Sequence, residues 1–174
     1  MRVLPVLLAA AFLAAAPAAA EAGRLQWPLR PSAAVTRGFD APAPNWQRGH
    51  RGVDLAGASG QTVYAAAGGT VVFAGELAGR PLVSVQHAGG LRTSYEPVRP
   101  AVRAGQRVDA GTALGGLLEG HSGCPVPACL HWGAMWGAAA RADYVDPLGL
   151  LAVTPIVLKP VGGPDRAPHA AARR

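Results

Sequence analysis

Two short stretches of the chain carry side chains of the kinds that bind metal ions. The segment HRGVDL places His50 four residues before Asp54, and CLHWG contains His131 two residues after Cys129. Residues an even number apart share one face of an extended strand, so His50 and Asp54 can converge on one ion. Zinc accepts both imidazole and carboxylate ligands. The HxxxD pattern alone is better explained by a histidine that caps a turn, so a metal site needs a third ligand, which His131 offers.

The beginning of the chain and its charge favour export to the cell envelope. Residues 1–20, MRVLPVLLAAAFLAAAPAAA, combine Arg2 with an apolar run and a closing Ala-x-Ala, as in a secretory signal peptide. We expect no stable membrane span after cleavage, with an uncleaved anchor as the alternative. The formal net charge of +6 becomes about +5 without Arg2, which suits an anionic envelope. The arginines are scattered and aromatic residues are few, which argues against nucleic acid binding.

The two cysteines, Cys124 and Cys129, lie in the stretch that contains His131. In an exported protein, two cysteines most simply form one disulfide, and the four residues between them make a plausible tight loop. The alternative is a Cys129 thiolate near the metal, as a fourth ligand or as a reactive group. We expect the disulfide, which would fix the approach to His131.

The elements that must position these side chains are predicted to be β-strands. From Val53 to about Leu118 the chain consists of short apolar runs broken by glycines. This pattern predicts an all-β domain, a single β-sheet core of sandwich-like form with few or no helices. Two similar segments, GQTVYAAAGGTVVFAG and VRAGQRVDAGTALGG, predict a hairpin-like element used twice. We expect the domain over residues 21–157, folded from about 25 to 152, and a disordered basic tail over 158–174.

The order of motifs resembles the lysostaphin or LytM type of zinc endopeptidase. WPLRP, GFD, HRGVDL, GQTVYAAAGGTVVFAG, LVSVQHAGGLRTSY, VRAGQRVDAGTALG, CLHWG and DYVDPLGLL follow in the order and approximate spacing of that family. The resemblance implies the fold called the duplicated hybrid motif, and peptidoglycan peptides as substrate. It also implies that His50, Asp54 and His131 hold Zn²⁺, because the family binds zinc through HxGxD and the second histidine of HxH. Such a set leaves one position of a tetrahedral zinc for water.

Two other histidines of the family, which assist proton transfer, have no counterpart in this chain. Cys129 replaces the first histidine of HxH, and Pro97 replaces the histidine of a YxH pattern that begins at Tyr95. Glu96 is expected to face away from both of its neighbours and therefore to be a poor substitute. The remaining candidates for contact with the developing oxyanion are Tyr95 and His121, although His121 is better explained as a solvated loop histidine. The CLHWG variant resembles a secreted subgroup from actinobacteria.

These features predict a secreted zinc metalloendopeptidase that acts on cell-wall peptidoglycan. Its activity is expected to be impaired, because a general acid–base group contributes about 100- to 10,000-fold to a rate. The alternative is a catalytically inactive module that binds the wall or regulates another cell-wall hydrolase. A third hypothesis is a structural β-domain without zinc.

Overall fold

The computed structural model describes residues 24–44, 47–137 and 141–152 of the chain. The predicted signal peptide and the predicted basic tail lie outside these residues and stay predictions. Within the described ranges, no helix has both the length and the apolar character needed to cross a membrane.

The described residues fold almost entirely into strands, which confirms the all-β prediction. Short 3-10 turns occur at Ala88–Gly90 and Pro147–Leu150. The strands with described bounds are β1 (Val35–Arg37), β2 (Val53–Gly57), β3 (Thr62–Tyr64), β4 (Gly69–Leu77), β5 (Arg80–His87), β6 (Leu91–Glu96), β7 (Val98–Pro100), β8 (Arg107–Val108), β9 (Ala113–Leu117), β10 (Ala128–Trp136) and β11 (Asp143–Val145).

These strands form two antiparallel sheets that share one core. The large sheet has the order β1-β2-β10-β6-β5-β4-β8, and β11 also pairs with β10. The small sheet has the order β3-β9-β7. Apolar side chains from both sheets belong to a single buried cluster. The other face of the large sheet therefore remains available for polar groups.

Alternation along the two central strands decides which side chains leave the core. Val53 and Leu55 of β2 and Trp132 of β10 are completely buried. Asp54 and His131 lie between such residues and therefore project from the opposite face of the sheet. The hydrophobic pattern thus fixes the strand register that puts these two polar side chains on the open face.

The two similar segments do not form separate hairpins, and that prediction is wrong. The first segment supplies β3 and β4, and the second supplies β8 and β9. Strand β3 pairs with β9, and β4 pairs with β8. The two segments therefore pair with each other, and the two strands of each segment belong to different sheets.

Candidate metal centre

The three predicted ligands lie together on the open face of the large sheet. Asp54 of β2 and His131 of β10 are direct partners in the antiparallel pairing. Nε2 of His50 lies 2.9 Å from Oδ1 of Asp54 and 3.0 Å from Nδ1 of His131. The distance from Asp54 Oδ1 to His131 Nδ1 is 2.9 Å. The three atoms therefore form a nearly equilateral triangle.

His50 reaches this triangle from a segment outside β2. His50 and Asp54 were expected to lie on one extended strand, but β2 begins only at Val53. His50 instead forms an isolated bridge with Asp40. The predicted convergence of the two side chains is present, whereas the predicted reason for it is wrong.

A backbone carbonyl fixes which nitrogen of His50 carries the proton. Nδ1 lies 2.6 Å from the carbonyl oxygen of Gly38, and because a carbonyl can only accept, Nδ1 donates this hydrogen bond. In the neutral ring, Nε2 then presents its lone pair to the triangle. Hydrogen bonds of this kind commonly orient histidines that bind metals.

Asp54 is the buried charge of the site. Only 2% of the residue is exposed. Burial alone would raise the pKa of its carboxyl, but hydrogen bonds with His121 and His131 hold that pKa well below its usual range. Nε2 of His121 lies 3.1 Å from Oδ2, while Oδ1 faces the other two histidines. The carboxylate is therefore ionised at neutral pH and has one oxygen in the triangle.

The donor set fits a zinc ion. Tetrahedral zinc binds nitrogen and oxygen at about 2.0–2.1 Å, so its ligand atoms lie about 3.3 Å apart. The atoms of the triangle are 2.9 to 3.0 Å apart and would need to separate by about 0.3 Å. The side chain of His131 is 22% exposed, so one side of the triangle faces solvent. Zn²⁺ could be held there by His50, Asp54 and His131.

A disulfide between Cys124 and Cys129 lies beside this triangle, as predicted. The alternative of a Cys129 thiolate is wrong, because the sulfur is in the disulfide. The bond joins β10 to the loop of residues 118–127, which carries His121. The side chain of His121 is only 16% exposed and contacts Asp54. The expectation that His121 is a solvated loop histidine is therefore wrong.

Tyr95 lies away from the triangle, and its predicted contact with an oxyanion is wrong. The residue is completely buried and is the strand partner of Trp132, so it projects into the core. Its hydroxyl accepts a hydrogen bond from the backbone N–H of Ala66 and lies 2.9 Å from the hydroxyl of Thr93. Burial raises the pKa of Tyr95 to about 12. Tyr95 has a structural role.

Glu96 lies at the candidate site, although the sequence predicted a poor substitute for the missing histidines. Its side chain faces away from Tyr95, as expected. Because Tyr95 faces the core, Glu96 faces the candidate metal site. Glu96 is the direct strand partner of His131 and lines the same cavity as His50 and His131. The sequence already indicated this direction for Glu96, because a tyrosine next to an acidic residue on a strand is expected to face the core.

Comparison with known proteins identifies the family. A model described as Peptidase family M23 matches residues 48–147, a range that includes all three candidate ligands. The chain belongs to peptidase family M23. The resemblance to lysostaphin-type enzymes that was inferred from the motifs is thereby confirmed.

Three relatives illustrate the similarity of this M23 chain to other proteins. It is 63% identical over 164 residues to a protein named Uncharacterized protein Rv2891, from Mycobacterium tuberculosis, and the match covers 94% of this chain and 66% of that protein. A zinc-containing peptidase from Vibrio cholerae has a TM-score of 0.55 at 23% identity, with 70% of this chain and 39% of that chain covered. The catalytic domain of lysostaphin from Staphylococcus simulans has a TM-score of 0.53 at 23% identity, with 64% of this chain and 88% of that chain covered. The two structures share the M23 fold. The chain spans about two thirds of the length of the mycobacterial relative.

Proposed function

We propose that this M23 domain is a zinc-dependent endopeptidase that hydrolyses peptide bonds in peptidoglycan at the bacterial cell envelope. The observation that carries the proposal is the triangle of donor atoms from His50, Asp54 and His131 on the open face of the sheet. Zinc bound there would supply a Lewis acid for the scissile carbonyl and would make water a stronger nucleophile.

The surroundings of the triangle suit an anionic peptide. A cavity of about 400 Å³ opens beside it and is lined by His50, His131 and three arginines, Arg37, Arg51 and Arg80. Glu96 also lines it and pairs with Arg80, so the arginines outnumber the acidic residue. Peptidoglycan stem peptides carry free carboxylates, which arginine can bind through two parallel hydrogen bonds. The positive rim would therefore help to align such a peptide with the centre.

The binding surface continues along the sheet. A second cavity of about 530 Å³ is also lined by Arg51, Arg80 and His131 and adds apolar side chains such as Phe73 and Met135. An extended peptide could lie along both cavities, with its carboxylates near the arginines and its aliphatic parts on the apolar wall. This shape supports an endopeptidase, which needs binding sites on both sides of the cleaved bond.

His121 is proposed as a positioning residue of this site. Its Nε2 lies 3.1 Å from Oδ2 of Asp54, and its ring stacks on His131 with centroids 5.8 Å apart. By binding Oδ2, His121 leaves Oδ1 directed at the metal position. The further prediction that His121 contacts an oxyanion stays a prediction.

The direct test is digestion of purified peptidoglycan by the zinc-loaded protein, with released peptides analysed by mass spectrometry. We expect cleavage by the wild type and none by Asp54→Asn or His131→Ala. Asp109→Asn, which changes an exposed aspartate outside the site, is the matched control and should cleave normally. If the wild type contains one zinc per chain and releases no peptide, the proposed activity is wrong.

A second candidate function is a module that binds the wall, or regulates another cell-wall hydrolase, without cleavage. Disulfide-bonded Cys129 and Pro97, which replace the family's helper histidines, have no side-chain proton to transfer. This function predicts that the wild type and Asp54→Asn sediment equally with peptidoglycan and that neither releases peptides. Cleavage by the wild type would exclude it.

A further inference from the structure

A row of chemically active side chains crosses four neighbouring strands at the metal site. The strand register pairs Arg37 with Asp54, Asp54 with His131 and His131 with Glu96. Directly paired residues project from the same face, with Cβ atoms about 4.5–5.5 Å apart. Glu96 therefore lies beside His131 on the side opposite Asp54.

The carboxylate of Glu96 is both sheltered and accessible to a ligand. Its side chain is 16% exposed, and Oε1 lies 3.3 Å from Nη1 of Arg80, whose side chain is 62% exposed. Arg80 thus holds one carboxylate oxygen from the solvent side. Glu96 also lines three cavities: the two that contain His131 and a third, of about 290 Å³, that contains His121. A peptide at the centre would pass this carboxylate.

Peptide hydrolysis needs a group that accepts a proton from the attacking water and returns it to the departing amine. The residues that replace the family's helpers, Cys129 and Pro97, cannot do so. Tyr95 is buried on the other face of the sheet, and His121 is hydrogen-bonded to Asp54. Among the described residues of the row, Glu96 is the acidic side chain that is not a candidate ligand.

We propose that Glu96 is the catalytic acid–base residue of this peptidase, an inference that rests on the proposed function. As water forms a bond to the carbonyl carbon, its proton moves to the carboxylate of Glu96. As the carbon–nitrogen bond breaks, the same proton moves to the amine, and Glu96 is ionised again. A glutamate performs this role in zinc peptidases that carry the HExxH motif, so the chemistry is compatible with a zinc site. Arg80 is a positioning residue that orients the carboxylate.

The test compares Glu96→Gln with Glu76→Gln, a matched change at an exposed glutamate on β4. Glutamine preserves size and hydrogen bonding but cannot transfer the proton. We expect kcat of Glu96→Gln to fall about 100- to 10,000-fold. KM, zinc content, zinc affinity measured by chelator competition and the urea unfolding midpoint should stay at wild-type values. Glu76→Gln should match the wild type in all five measurements.

Each other outcome overturns a defined part of the reasoning. A Glu96→Gln protein that cleaves at the wild-type rate removes Glu96 from the mechanism and leaves the peptidase function intact. Loss of zinc or of stability in Glu96→Gln assigns a structural role to the residue and overturns the catalytic one. A zinc-loaded wild type without activity overturns both proposals.

Discussion

Gly52 provides a sharp test of how the sheet assembles the candidate metal site. It lies between His50 and Asp54, one residue before β2 begins. A methyl group at this position would be 2.5 Å from the carbonyl oxygen of Trp132 and 2.8 Å from Nε2 of His131. Gly52 therefore leaves the space that the ring of His131 occupies. We predict that Gly52→Ala weakens zinc binding.

The size of the effect follows from these distances. Real Cβ atoms do not approach other heavy atoms closer than 3.0 Å, so the Trp132 carbonyl must shift by at least 0.5 Å. This oxygen belongs to the backbone of β10, and moving it separates the strands that hold Asp54 opposite His131. If the His131 ring rotates away as well, Nδ1 leaves the triangle. We expect a loss of stability of about 1–3 kcal/mol from overpacking. Zinc affinity should fall about 10- to 100-fold, the usual effect of losing a group that orients a ligand.

Chelator competition would measure zinc affinity, and urea unfolding in EDTA would measure metal-free stability. The matched control is Gly38→Ala, because Gly38 is also close to the site but a methyl group there meets nothing within 4 Å. Its carbonyl would still accept the hydrogen bond from His50. Equal zinc affinities for Gly52→Ala and Gly38→Ala would refute the claim that space at Gly52 is needed for the site.

The disulfide and the buried His87 give two further predictions. Replacing Cys124 and Cys129 by alanine opens a loop with a sequence separation of 5, so the urea unfolding free energy should fall by about 2 kcal/mol; an unchanged value would contradict this. Burial lowers the pKa of His87, whose ring hydrogen-bonds Thr93 and the carbonyl of Gly68. As the pH falls, His87 is therefore protonated at a higher pH in the unfolded chain than in the folded protein. The stability contributed by neutral His87 is present above about pH 6.5 and is lost as the pH falls below it. In EDTA, His87→Asn should destabilise the protein more at pH 7.5 than at pH 5, and equal losses would exclude this effect.

Short-range patterns in the sequence predicted the strands, but not how they pair. The apolar runs identified an all-β chain because alternation is a local property. The pairing of β3 with β9 and of β4 with β8 joins residues 37 to 54 positions apart, and no local pattern encodes such partners. The motif order supplied part of this missing information, since it identified a family whose topology is already fixed.

The sequence predicted the three candidate ligands of the site but not the residues that surround them. His50, Asp54 and His131 were recognisable from residue type and motif. The error at Glu96 arose from placing the site on the strand face that Tyr95 and Pro97 share. Both of these residues are buried, so the alternation continues to position 97. Tyr95 is fixed in the core, and the last residue of the strand therefore faces the metal position.

The charges along the row explain why a carboxylate suits the position of Glu96. With Zn²⁺ in place, the charge of Asp54 would offset one of the ion's two positive charges. The charge of Glu96 is offset by Arg80, which lies 3.3 Å away, while Arg37 lines the same cavity. Opposite charges attract strongly where water is partly excluded, so Arg37 would attract the carboxylates of a substrate. The acidic residue is therefore compatible with both the metal and an anionic peptide.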